Sequence, residues 1–211
     1  MNDQVRGRGA HNKDRRTQIL DAAEELIAEG GFAAASVRAV AGRAGIGAST
    51  MRYWFPSQES LTTAIARRAL TLQLRDERIA DQTLPPADRL TECLAQFLPA
   101  DEGHRTQAQG WFALIASAVG PASTALGRSM LGGMLSTTRD KLTSWLNQLA
   151  AEGALDEAAV PRAATALLTR IDGLTLGLIL PNSQLDVPAA HAILRDDVRG
   201  IFNDSGPLPQ P

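Results

Sequence analysis

The chain of 211 residues predicts an all-α fold, with a small three-helix head on a larger helical body and about nine helices in all. Three observations carry this. Apolar residues recur at helical spacing along most of the chain. Glycine and proline interrupt that pattern at intervals suited to helix ends. Stretches of two-residue alternation, the mark of a half-buried strand, are few.

Residues 1–13 are polar and without periodicity, which predicts a flexible tail. From Asp14 a helix is expected, with Ile19, Leu20, Ala23, Leu26 and Ile27 on one face. Gly30-Gly31 ends it, because glycine accepts the left-handed conformation there, and Phe32 is expected to plug the core beneath. Ser36 is a candidate N-cap for a helix over Val37–Ala44, with Val37, Val40 and Ala41 inward. Gly45 stops it. A short helix over Ala48–Trp54 follows, closed by Phe55-Pro56. Ser57 then caps a helix from Gln58 to about Ala80, with Glu59 in its first turn and Leu61, Ile65, Ala69 and Leu72 on one side. Beyond Pro85-Pro86, five more helices are expected near 87–98, 106–119, 122–152, 160–180 and 188–203. Asp204–Pro211 reads as a disordered tail.

Composition narrows the class. Hydrophobic residues are 44% and charged residues 21%, as in ordinary globular proteins. A single cysteine, Cys93, excludes an internal disulfide and a cysteine-based zinc cluster. No run of 18 apolar residues suggests a membrane span, and Met1–Arg16 lacks a signal's apolar stretch, so a cytoplasmic protein is expected. Charge is uneven: residues 1–70 carry ten Arg and Lys against seven Asp and Glu, the remainder eleven against sixteen. A basic head on an acidic body is one expectation for a nucleic-acid reader.

Two short helices joined by a glycine turn form the plan of a helix-turn-helix. Val40, Ile46 and Met51 are placed to lock the pair, and Gly47, Ala48, Ser49 and Thr50 are small enough to lead a helix into the major groove. Any helical hairpin meets that spacing, so alone it leaves a structural hairpin open. The run from Ser36 through Arg38, Gly45, Tyr53-Trp54-Phe55-Pro56 to Leu61, with Ile19–Ile27 and Gly31-Phe32 before it, resembles the DNA-binding head of the TetR family of transcriptional regulators. The likeness is strong over about residues 15–70.

The resemblance implies a homodimer on a palindromic double-stranded operator and a body that binds an inducer. It places Ser36 and Arg38 at the phosphate backbone, Arg38 also being able to read a guanine. Gly47, Ala48, Ser49 and Thr50 then face base edges, with Arg52, Tyr53, Trp54 and Gln58 near phosphates. Arg52 stands in place of the family's usual tyrosine, and Gln58 in place of its usual lysine. Arg6 and Arg8, flanked by glycines, are mobile enough to reach a groove.

The body lacks catalytic patterns. His11, His104 and His191 form no zinc or di-iron motif, and no Gly-x-Ser-x-Gly elbow exists, so neither enzyme activity nor a cofactor nor a metal is expected. Candidate pocket residues are Trp111, Phe112, Ile115, Met130, Met134 and Trp145, with His104, Thr137, Asp140 and Arg170 as polar groups. They suggest an apolar or aromatic ligand, although ordinary core is the commoner use for each. Segment 164–180 is apolar almost all round and must be buried on several sides. Gly173 and Gly177 share a face there and, with Ile193 and Ile201 of the last helix, are the candidate dimer contacts. The expected domains are thus a tail (1–13), a helix-turn-helix domain (14–58), a ligand-binding and dimerisation domain (59–203) and a second tail (204–211). The function read from this is a ligand-responsive homodimeric regulator, a repressor released by its inducer. A regulator without an inducer is the alternative, and an all-α enzyme a more distant one.

Overall fold

The computed structural model describes the backbone of residues 3–203 and the side chains of residues 15–102, 104 and 108–202. All its regular elements are helical: α1 (Asp3–Gly30), α2 (Val37–Arg43), α3 (Ala48–Trp54), α4 (Gln58–Gln73), α5 (Pro86–Ala95), α6 (Arg105–Ala118), α7 (Ala125–Ala151), α8 (Val160–Ile179) and α9 (Val187–Asn203). Single 3₁₀ turns lie at Phe32–Ala34, Glu102–His104 and Glu157–Ala159. The expected tail 204–211 lies outside the described residues.

Two apolar cores divide the chain. The first joins Ile19, Leu20 and Ala23 of α1 to Val40, Met51, Leu61 and Ile65, with Phe32, Ile46 and Trp54 half-buried against it. The second joins Leu90 and Leu94 of α5, Trp145 and Leu149 of α7, Leu167 and Leu174 of α8, and Leu194 of α9. Helix α4 belongs to the first core and runs on against α7 of the body. Its Leu61 and Ile65 face the head, while it lies along α7, the most extensive helix pair in the molecule. Glycine permits that approach: a Cβ on Gly133 of α7 would sit 2.5 Å from the Thr63 carbonyl oxygen. The Thr63 hydroxyl donates to the Ser129 carbonyl (3.3 Å), and Arg67 pairs with Asp140 (2.6 Å).

Three elements differ from the sequence reading. Helix α1 begins at Asp3, not Asp14, since extending a formed helix adds one hydrogen bond per residue fixed. Helix α4 stops at Gln73, not near Ala80. The stop is tertiary: the Gln96 carboxamide accepts from the Arg75 N–H and donates to the Arg75 carbonyl, both at 2.8 Å. Leu74 and Ile79 then bury their side chains from an irregular segment. Ala69 and Leu72 are exposed, Leu72 at 70%, because past Ile65 the covered side of α4 turns towards α7 through Ala66 and Leu70.

Beneath the body, Asp76 accepts from the Lys141 ammonium and the Trp145 indole N–H, each at 2.7 Å. These bonds hold its carboxyl below the ordinary aspartate range. Arg89 is buried, donating to the Ile79 carbonyl (2.7 Å) and to Glu152 (2.5 Å). Cys93 is buried too, which pushes its thiol up to about 12 and leaves it inert as a nucleophile.

Candidate nucleic-acid interface and ligand cavity

The reading head is set by local chemistry. Ser36 caps α2, its hydroxyl accepting from the Ala39 N–H at 3.2 Å. Gly45 has φ +64°, a left-handed position where a side chain would be strained. Around it the Ile46 N–H reaches the Ala41 carbonyl (3.0 Å) and the Gly45 N–H the Gly42 carbonyl (3.2 Å), the paired closure of a Schellman turn. The chain is thereby turned sharply into α3, whose Met51 is buried beneath Val40 and Leu61. The opposite face of α3 is open. Gly47, Ala48 and Ser49 are exposed and Thr50 is half-buried.

Arg52 and Tyr53 are also exposed, Tyr53 at 74%, resting edge-on against the half-buried Trp54 (centroids 5.2 Å). Trp54 packs on the head core, so its indole positions Tyr53 as well as edging the surface. Neither Arg38 nor Arg52 has an ion pair among the described residues, and both are exposed. Neighbouring arginines serve the scaffold. Arg43 pairs with Glu25 (3.2 Å) and Glu29 (2.7 Å), Arg68 clamps α4 to Asp21 and Glu24 of α1, and Arg16 covers the Phe55 ring at 5.5 Å.

Gln58, expected near phosphates, is hydrogen-bonded within the head. Its carboxamide oxygen accepts from the Val37 N–H (2.9 Å), an otherwise orphan donor of α2's first turn. Its nitrogen donates to the Ala35 carbonyl (2.9 Å) and lies 3.4 Å from the Thr62 hydroxyl. The side chain thus fastens the start of α4 to the start of α2, and no residue spacing announces that.

The body holds a cavity of about 820 Å³ that opens to solvent at the exposed Gln73, Arg139, Thr169 and Asp172. Leu70 and Gln73 of α4 form one wall, Met134, Leu135, Thr138 and Arg139 of α7 another. Phe97, Pro99 and Trp111 cover it from the α5–α6 side, and Leu168, Asp172 and Thr175 of α8 face it. Of the expected pocket residues, Trp111 and Met134 line it. Phe112, Ile115 and Met130 are half-buried and do not line it. Trp145 is 1% exposed in the core, its N–H spent on Asp76. Thr137 is buried with its hydroxyl on the Gly133 carbonyl (3.0 Å) and borders a separate hollow of about 210 Å³. Arg170 pairs with Asp197 of α9 (2.6 Å), Asp140 with Arg67, and His104 with Asp101 (2.8 Å), all away from the cavity.

Helix α8 is less uniformly apolar than its sequence suggests. Thr165, Leu168, Thr169, Asp172 and Thr175 recur on its cavity side. That polar stripe is the signal that could have located the site. Of the expected dimer contacts, Gly173 and Ile193 are exposed, and a Cβ on Gly173 would meet nothing within 4 Å. Gly177 is covered from within the subunit, since a Cβ there would meet Leu185 at 2.9 Å. Ile201 is half-buried against the body core. Both thus make contacts within the chain. Among the described residues no cluster of His, Cys, Asp or Glu could hold a metal ion, and no helix is long and apolar enough to cross a membrane.

Residues 19–69 match the model of the tetR family of bacterial regulatory proteins, and residues 86–203 that of the C-terminal domain of BetI-type transcriptional repressors. The chain belongs to the TetR family. Its head is the helix-turn-helix DNA-binding domain of that family of transcriptional regulators. Among TetR-type relatives, PksA of Bacillus subtilis is 31% identical over 111 residues, which are 51% of this chain and 53% of that protein. The match thus spans about half of that curated relative. BetI of Escherichia coli is 28% identical over 190 residues, covering 86% of this chain and 90% of BetI. A transcriptional regulator of Rhodococcus sp. RHA1 shares the fold, with a TM-score of 0.53, 23% identity and coverage of 92% of this chain and 99% of that one.

Proposed function

We propose that the protein is a ligand-responsive, homodimeric repressor acting on chromosomal DNA in the cytoplasm. Two copies of α3 enter successive major grooves of a palindromic operator, and an organic ligand in the body cavity releases them. The observation that carries this reading is the double engagement of α4. Leu70 and Gln73 near its C-terminus line the cavity, and Gln58 at its N-terminus is hydrogen-bonded into α2. A ligand that favours one setting of α4 therefore changes the population of heads spaced to match the grooves.

On DNA, the Arg38 and Arg52 guanidiniums and the Tyr53 hydroxyl meet phosphates, while Ala48, Ser49 and Thr50 approach base edges. With such short side chains much of the affinity is electrostatic. Arg6 and Arg8 add contacts from the chain's start. Subunits pair through the outer face of α8 and α9. Open space over Gly173 and the exposure of Leu176 (38%), Leu180 (51%) and Ile193 (39%) support this. The 820 Å³ cavity favours an inducer over a regulator that only dimerises.

Selection of binding sites from random duplexes by the purified protein, followed by sedimentation of the complex, tests the proposal. The expected result is a two-fold-symmetric sequence bound by two subunits, with half-sites about one helical turn (about 34 Å) apart. A monomer bound to a single half-site overturns the dimer, and failure to enrich any sequence overturns the operator.

A further inference from the structure

Most carboxylates that face other elements of the body are answered by a cation. Asp76 meets Lys141, Glu152 meets Arg89, and Asp197 meets Arg170. Asp172 is the contrast. It lines the large cavity from α8, and among the described residues it has neither an ion pair nor a hydrogen-bond donor. Partial burial with nothing to offset it raises its carboxyl above the ordinary aspartate value. Arg139 of α7 lines the same cavity; both side chains are solvent-exposed at its rim, and they form no ion pair with each other.

A second group points the same way. Thr175, one turn along α8, is 4% exposed and lines the same cavity. Thr165 and Thr169 on that side spend their hydroxyls on helix carbonyls four residues back, at 3.0 and 2.9 Å. The Thr175 hydroxyl makes no hydrogen bond among the described residues, and its oxygen is not sealed from solvent. One turn of a single helix therefore offers a bare carboxylate and an unused acceptor oxygen to the cavity.

We propose that the ligand is a protonated primary or secondary amine carrying an aromatic or alkyl body, and that Asp172 is the residue that selects it. This rests on reading the cavity as the ligand site. An ammonium N–H makes a charge-assisted bond to the carboxylate, roughly twice as strong as a neutral one, and has further protons for Thr175. An anionic ligand places like charge beside Asp172, and a neutral one leaves it unpaired. A quaternary ammonium keeps the charge attraction but has no N–H to give, and Phe97 and Trp111 are the cavity's only aromatic rings among the described residues. The remaining walls, Leu70, Met134 and Leu168, suit an apolar body that reaches α4.

The test is calorimetric titration of the full-length protein with four probes sharing one body: 4-phenylbutylamine, its trimethylammonium analogue, 4-phenylbutanol and 4-phenylbutyrate. The amine is expected to bind about tenfold or more tighter than each of the others. Asp172→Asn should bring the amine to the level of the alcohol, and leave the alcohol's affinity within about twofold. Asp172→Glu should keep the preference. Equal binding of amine and alcohol by the wild type overturns the selectivity and leaves the cavity as a ligand site. Tightest binding of the butyrate also overturns it and assigns selection to Arg139. If none of the four binds, the cavity reading fails together with the proposal. The wild-type series decides the selectivity by itself, should either variant fold poorly.

Discussion

Head and body show the same economy of charge with opposite sign. In the head, Arg43 and Arg68 are tied to acidic partners on α1, whereas Arg38 and Arg52 face outward without one. In the body, Asp76 and Glu152 are tied to cations, whereas Asp172 faces a cavity without one. An ion pair inside a fold offsets the cost of desolvating its members. A charge left unanswered at a structured site keeps that energy for a ligand. The outward cations suit a polyanion, and the cavity-lining carboxylate suits a small cation. Helix α4 is the element common to both sites.

The comparison is broken most severely by destroying one region's core. Trp145→Ala removes the largest fully buried side chain of the body and should cost about 3–5 kcal/mol. Denaturant titration should show a large fall in midpoint. A change below about 1 kcal/mol would mean the body does not depend on this core.

Next in size is the seam between the regions. Gly133→Ala drives a methyl to 2.5 Å from the Thr63 carbonyl and should cost about 1–3 kcal/mol, with weakened DNA binding as α4 is displaced. Gly132→Ala, one residue away with nothing within 4 Å, should stabilise α7 by about 0.5–1 kcal/mol. Thermal melts of the two variants check the pair. Equal shifts would dissolve the seam.

A finer test separates the two classes of arginine. Arg52→Ala should lower affinity about tenfold for all duplexes and reduce the slope of log K against log salt by about 0.9. Arg43→Ala should leave that slope unchanged, because its guanidinium is held by Glu25 and Glu29. Fluorescence anisotropy across a salt series reads both. A change of slope in Arg43→Ala would place Arg43 at the DNA.

Smallest is the titration of Asp76. Its pKa is lowered in the fold by Lys141 and Trp145, so its stabilisation is complete above the unfolded aspartate pKa and lost as pH falls through the folded value. Asp76→Asn should flatten the acid limb of a stability–pH profile below about pH 4. An unchanged limb would remove Asp76 from the account.

The head was legible because its constraints are local. Ser36, Gly45 and Ser57 act on backbone within a few residues, so their types and spacing predict the α2–α3–α4 entry closely. Gln58 was not legible, since its partners Ala35 and Val37 are 23 and 21 residues away and only the fold brings them together. The cavity was legible only in Trp111 and Met134. Aromatic and sulfur side chains fill cores as readily as they line pockets, so Trp145 was indistinguishable from a pocket residue until its bond to Asp76 was seen. The more telling positions were polar, Asp172 and Thr175, inside a helix whose apolar residues drew attention to dimerisation. At Gly177 the small residue marks a close approach without saying to what, and within the chain the neighbour is Leu185.

Occupying the cavity should loosen the head's hold on DNA through α4. Leu168→Trp tests it without any ligand, because the indole enters the cavity from α8, opposite Leu70. Operator affinity should fall about 5- to 150-fold, the range of ordinary allosteric coupling, while the dimer and its thermal midpoint persist. Unchanged operator affinity in a folded, dimeric Leu168→Trp protein would contradict the account.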